Sequence, residues 1–268
     1  MITMKKLLYI SFLALVFAGC SQDDDLSYVT KDDWNAIKSR YGTYQQRCGS
    51  VSDGIQYPAN WTIKDAEAFV VSDETIRAMS TCGLLDSYLT HPERVLGPWC
   101  EWCSYSLLPG VTDFNNMVNN DKILKEFFGR DNCIGILGSR YLSMIEQGEE
   151  VIGRKKCLEM LIASDACISL LKEQERVEFM MMALKMMARE KELLKEPRHI
   201  LVAIMKASNY APFLTEANED GKYSAFKTED GVGYTQRNGL SENTLGYDIC
   251  VYDVVEKYAK RFLNDLKR

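Results

Sequence analysis

Two stretches of this chain repeat one pattern, and that repetition limits the fold more than composition does. Ile123 to Leu137 reads I-L-K-E-F-F-G-R-D-N-C-I-G-I-L, and Cys157 to Leu171 reads C-L-E-M-L-I-A-S-D-A-C-I-S-L-L. Leu124 matches Leu158, Asp131 matches Asp165, Cys133 matches Cys167, Ile134 matches Ile168 and Leu137 matches Leu171. Gly129 and Ala163 are both small at the same place. Apolar residues three and four apart mark one buried helical face. A small residue lets two helix ends approach. Ser164 or Asp165, and Asp131 in the earlier copy, then offer a side-chain oxygen to the free amides of the next helix. Each unit predicts two helices joined by a tight turn, with a face that only a neighbouring unit can cover.

Fainter copies flank these two. Upstream, Ile76, Met79, Thr81, Leu85, Tyr88 and Leu89 fit the spacing; downstream, Leu201, Ile204, Met205, Tyr210, Phe213 and Leu214 fit it across Ser208-Asn209. The period is loose outside the central pair. An apolar helix, a short polar turn with Asp and a second apolar helix resemble the armadillo and HEAT repeats, over about Ser72 to Thr215. The tetratricopeptide family shares the period, but its Trp, Gly and Tyr positions are missing. The resemblance implies a mostly all-α, irregular helical-repeat domain of the α-α superhelix kind.

The remaining chain fits around that core. A short helix is expected from Asp32 to Tyr41, and a long one from Glu175 to Lys195 with Val177, Met180, Met181, Leu184 and Met187 on one side. His91 to Gly110 holds three of the six prolines, which interrupt helices. Residues 218–243 are rich in Gly, Asn and Asp and suggest a small β-hairpin or loop insert. A closing helix is expected over 245–266, with Val251, Val255, Tyr258 and Phe262 inward and Lys/Arg at its negative end. The repeat core spans about 72–217, within one helical domain over 31–268.

The N-terminus carries a different message. Met4-Lys5-Lys6 precedes an uncharged apolar run from Leu7 to Gly19, then Cys20. A basic start, a short apolar run and a small-residue cleavage site make a signal peptide over 1–19. The run is too short to cross ~30 Å of hydrocarbon. Phe17-Ala18-Gly19-Cys20 resembles the lipobox of bacterial lipoproteins, although that family prefers Leu where Phe17 stands. The resemblance implies a diacylglycerol on the Cys20 thiol and a lipidated tether over 20–30. Ser21-Gln22-Asp23-Asp24-Asp25 resembles the acidic export signal of Bacteroidetes surface lipoproteins, which implies an outer-membrane protein exposed at the cell surface. The membrane is thus one expected partner, through Cys20. Removing Lys5 and Lys6 takes the formal charge from -6 to -8, which argues against nucleic acid as a partner.

Few residues are arranged for chemistry. Cys133, Cys157 and Cys167 lie on apolar faces and read as small hydrophobes. Cys100-Glu101-Trp102-Cys103 has the spacing of thiol–disulfide exchange motifs, but not their strand-then-helix setting. No second such pair completes a zinc site, and His91 and His199 have no metal-type partner at i+4. Glu149-Glu150 and Asp32-Asp33 read as solvated faces. Met180 to Met187 follows a buried stripe before it suggests a pliable groove. No Gly-x-Ser-x-Gly elbow or phosphate loop occurs. The expected site residues are therefore Cys20 for lipid and the pair Cys100 and Cys103 for redox chemistry, with no cofactor, metal or catalytic set. The expected role is a non-enzymatic surface module for peptide, protein or glycan. The alternatives are a thiol–disulfide exchange protein and a structural subunit of an envelope assembly.

Overall fold

A computed structural model of the chain describes residues 28–57, 71–92, 112–148, 152–189, 197–216 and 244–266. The signal segment, Cys20, the acidic tripeptide, the CxxC at 100–103 and the insert at 218–243 lie outside the described residues. What is described is all-α, with no strand among it.

Two short helices open the body, α1 (Lys31–Tyr41) and α2 (Tyr44–Cys48), each started by a threonine capping box at Thr30 and Thr43. The upstream copy forms α3 (Asp73–Ala78) and α4 (Thr81–Thr90), then comes α5 (Thr112–Asn120). The two strong copies form α6 (Lys122–Phe128) with α7 (Cys133–Gln147), and α8 (Ile152–Ala163) with α9 (Asp165–Leu170). The long α10 (Glu173–Arg189), then α11 (Pro197–Ala207), a π turn (Pro212–Glu216) and α12 (Thr244–Leu266) complete the domain.

The matched positions of the two copies share one burial. The matched residues Leu124 and Leu158, Cys133 and Cys167, Ile134 and Ile168, Leu137 and Leu171 are all buried in one core. The two copies touch through α7 and α8. Their turns differ: four residues separate α6 from α7, whereas Ser164 alone separates α8 from α9. Ser164 caps α9 by accepting from the Cys167 amide. The expected cap from Asp131 is corrected. Asn132 holds the cap position without a side-chain bond to the helix, because its Oδ1 accepts from Thr81 Oγ1 of α4 at 2.7 Å.

Helix α11 is the centre. Every residue from Pro197 to Met205 is buried, and the helix packs against α8, α9, α10 and α12. The same crowding corrects the reading of α10 as a one-sided stripe. Phe179, Met180, Met181, Met182, Ala183, Leu184 and Met186 are buried while Val177 and Met187 are only partly so, since α7, α11 and α12 all pack against this helix. The downstream copy also departs from expectation. Asn209 takes a left-handed φ of 49°, and the amides of Asn209 and Tyr210 bond back to Lys206 and Met205. That pair of bonds is a Schellman stop. The second segment is a short π turn, not an α-helix, and it carries Phe213 back into the core.

Candidate functional site

Charged side chains inside the bundle are the first place to look for chemistry, because burying a charge costs heavily unless it is paired. Glu178 on α10 is buried and accepts from the Tyr41 hydroxyl at 2.9 Å and from Gln174 at 3.1 Å, with Arg40 Nε at 3.0 Å. Burial, and then the Glu178 charge, push the Tyr41 phenol far above its ordinary range. The phenol therefore stays protonated and donates. A second such bond joins α7 to α8, where Tyr141 donates to Glu159 at 3.1 Å and both residues are wholly buried. Burial and then Glu159 raise the Tyr141 phenol likewise. Both pairs tie one helix to another in sealed interior, which suits them to holding the fold.

The Tyr41 ring has its seat because residue 138 is glycine: a Cβ there would lie 2.2 Å from the ring. His199, in the middle of α11, is fully buried and neither ring nitrogen has a hydrogen-bond partner. Burial, then the neighbouring Arg198 charge, hold it well below the usual imidazole range, so it is neutral.

The second place is the corner where residues 49–57 cross the start of α4. A disulfide joins Cys48, at the end of α2, to Cys82 in the first turn of α4. Asp53 accepts from the Ser80 amide at 2.7 Å and from the Ser80 hydroxyl at 2.6 Å. Burial pushes the Asp53 carboxyl up, but the bonds from Ser80 outweigh it and hold the group below its ordinary value. The Ile55 amide donates to Ser87 at 2.8 Å, and a Cβ on Gly83 would sit 2.0 Å from the Asp53 carboxylate. On α2, Tyr44 donates to Asp86 at 2.9 Å beneath the Arg140 guanidinium. Beside this corner lies a shallow groove of about 650 Å³ whose lining includes Asp53, Gln56, Val71, Ser72, Thr75 and Met79. Its mixture of short polar and aliphatic groups offers hydrogen bonds and apolar contact, with one carboxylate, Asp53, tied to Ser80.

The cysteines divide cleanly. Cys133 and Cys167 are buried free thiols, and burial raises both, Cys167 further under the influence of Cys133 and Glu175. They are packing groups, as their sequence positions predicted. Cys157 is half-buried. His91 closes α4 and meets the Tyr57 ring edge-on at 4.9 Å. Sequence reasoning missed the Cys48–Cys82 pair, Asp53, and the interior Glu159 and Glu178. A signal existed for Glu159, the one carboxylate inside the apolar run 157–163, but not for Glu178, which stands at the edge of its run behind Glu175 and Arg176.

Among the described residues no cluster of three or more His, Cys, Asp or Glu is placed to hold a metal ion. No described helix is long and apolar enough to cross a membrane. Comparison with family models, curated proteins and solved structures returns no match.

Proposed function

We propose that this chain is an exported lipoprotein, anchored through Cys20 at the outer membrane and exposed at the cell surface, where its helical body acts as a non-enzymatic interaction module. The observation that carries this reading is the Cys48–Cys82 disulfide. Disulfides persist in oxidising compartments outside the cytoplasm, which agrees with the signal segment and lipobox. Interior carboxylates bonded to tyrosines, and thiols buried as packing groups, support a body built for rigidity. A rigid body presenting a groove of mixed polar and aliphatic groups suits a peptide, protein or glycan ligand.

Globomycin, which blocks lipoprotein signal cleavage, is expected to make an uncleaved precursor accumulate. Protease added to intact cells should remove the mature protein. Normal processing under globomycin, or full protection in intact cells, would overturn the anchor or the surface assignment respectively. For the binding role, a pull-down from outer-membrane extract should return a stoichiometric partner. Ala78→Arg, at an exposed position in the groove, should lose that partner while the fold stays intact. Equal capture by the variant would remove the groove from consideration.

A further inference from the structure

The tether and the last helix together say which side of the body faces the membrane. Tyr28 and Val29, the first described residues, are already buried against the domain. Lys260 of α12 lies over the Tyr28 ring at 4.6 Å. Burial alone would lower the Lys260 ammonium, but Glu256 and Tyr28 hold it above its ordinary value. The chain between Cys20 and Tyr28 can extend at most about 28 Å, at roughly 3.5 Å per residue. A lipid on Cys20 therefore keeps the Tyr28 side of the body next to the bilayer.

The end of α12 runs against the sign of an acidic protein. Glu256 to Leu266 hold three cations, Lys257, Lys260 and Arg261, and two carboxylates, against a chain total of -6. Val255, Tyr258, Ala259, Phe262 and Leu263 of α12 face the core. Lys257 and Arg261 follow each other on the opposite, exposed face, and Leu266 is exposed at the helix end. The two carboxylates pair at four-residue spacing, Glu256 with Lys260 at 2.8 Å and Asp265 with Arg261 at 3.9 Å.

We infer that the α12 face bearing Lys257, Lys260 and Arg261 docks on the anionic lipid surface that holds the Cys20 anchor. The inference rests on the lipid-anchor reading. Cations within a Debye length of such a surface are attracted by about fivefold in affinity each. The exposed Leu266 adds a small apolar contact at the same end. The tether's own Asp23, Asp24 and Asp25 are the competing occupant of this face.

Amine acetylation of the full lipidated protein, read by mass spectrometry, tests it. The protein is compared on phosphatidylglycerol vesicles and in neutral detergent micelles. Lys257 and Lys260 are expected to react about fivefold more slowly on the vesicles, with protection lost near 1 M salt, where the Debye length is about 3 Å. The exposed Lys125 and Lys172 should react alike in both. Arg261→Gln, an exposed change that leaves the core alone, should weaken the protection of Lys260. Equal reactivity in vesicles and micelles overturns the inference, including the case where the tether's aspartates shield both lysines throughout. Protection that ignores salt, or that maps to Lys125 and Lys172, overturns it too. The Cys20 peptide separates the two readings by mass: without a lipid, the anchor reading and this one both fall, whereas a lipidated peptide with unprotected lysines sinks this one alone.

Discussion

The corner around α2 and α4 and the centre around α10 and α11 are held together by different physics. In the corner the helices are short, and loop 49–57 is secured by a disulfide, by Asp53 on the start of α4 and by Ser87. At the centre, α11 is buried from Pro197 to Met205, and apart from Arg198 and His199 those residues are apolar. A five-residue helix such as α2 cannot offset its own nucleation cost, so local bonds and a covalent link must hold it. A helix surrounded by others needs only a good fit. Covalent closure and core packing are thus alternative solutions used side by side in one domain.

The largest way to break this contrast is at the centre. Leu201→Ala, at a fully buried site on α11, is expected to cost about 4 kcal/mol through lost transfer energy and the cavity left behind. Denaturant unfolding would measure it; a cost under about 1 kcal/mol would mean the centre collapses around the gap. In the corner, replacing Cys48 and Cys82 together by serine should cost about 3.8 kcal/mol, as expected for freeing a loop of this length. A reducing agent should lower the melting temperature of the natural protein and leave that variant unchanged. If reduction moves both equally, the link contributes nothing.

Acidity separates the two regions. The His199 pKa is depressed in the folded state, so its contribution is complete above the unfolded value near 6.5 and is lost as pH falls below it. The loss grows as the pH falls further below that value. His199→Leu should flatten that part of the stability curve; an unchanged slope would assign it elsewhere. Asp53 is also depressed, but an aspartate contributes above about pH 4 and is lost only on further acidification. The centre therefore loosens first in mild acid and the corner later. Smallest is the turn: Ser164→Ala removes the cap on α9 and should cost about 1 kcal/mol, measured by the same unfolding curves.

Much of the scaffold was legible in the chain. The paired copies predicted buried Leu124, Leu158, Cys133 and Cys167 because helical spacing is a local property, and α1 and α12 begin and end within a residue or two of expectation. What stayed hidden depends on contacts between distant residues. Nothing in the sequence around Cys48 or Cys82 says that they meet, since the bond depends on where α2 is laid across α4. Asn132 abandons its cap because Thr81, far away in sequence, competes for its side chain. The downstream copy turns at Ser208-Asn209, where its spacing places the turn, but goes on as a π turn over Pro212–Glu216. The fold's outline comes from periodicity; its polar ties do not.

The Cys48–Cys82 link has one more consequence. It turns residues 48–82 into a closed covalent ring. A single proteolytic cut between Gly49 and Thr81 would leave the molecule in one piece, its two fragments still joined through sulfur. Such a nicked molecule would run as a single band without reductant and as two bands with it. A cut in this stretch therefore leaves the N-terminal segment and the rest of the bundle in one covalent molecule.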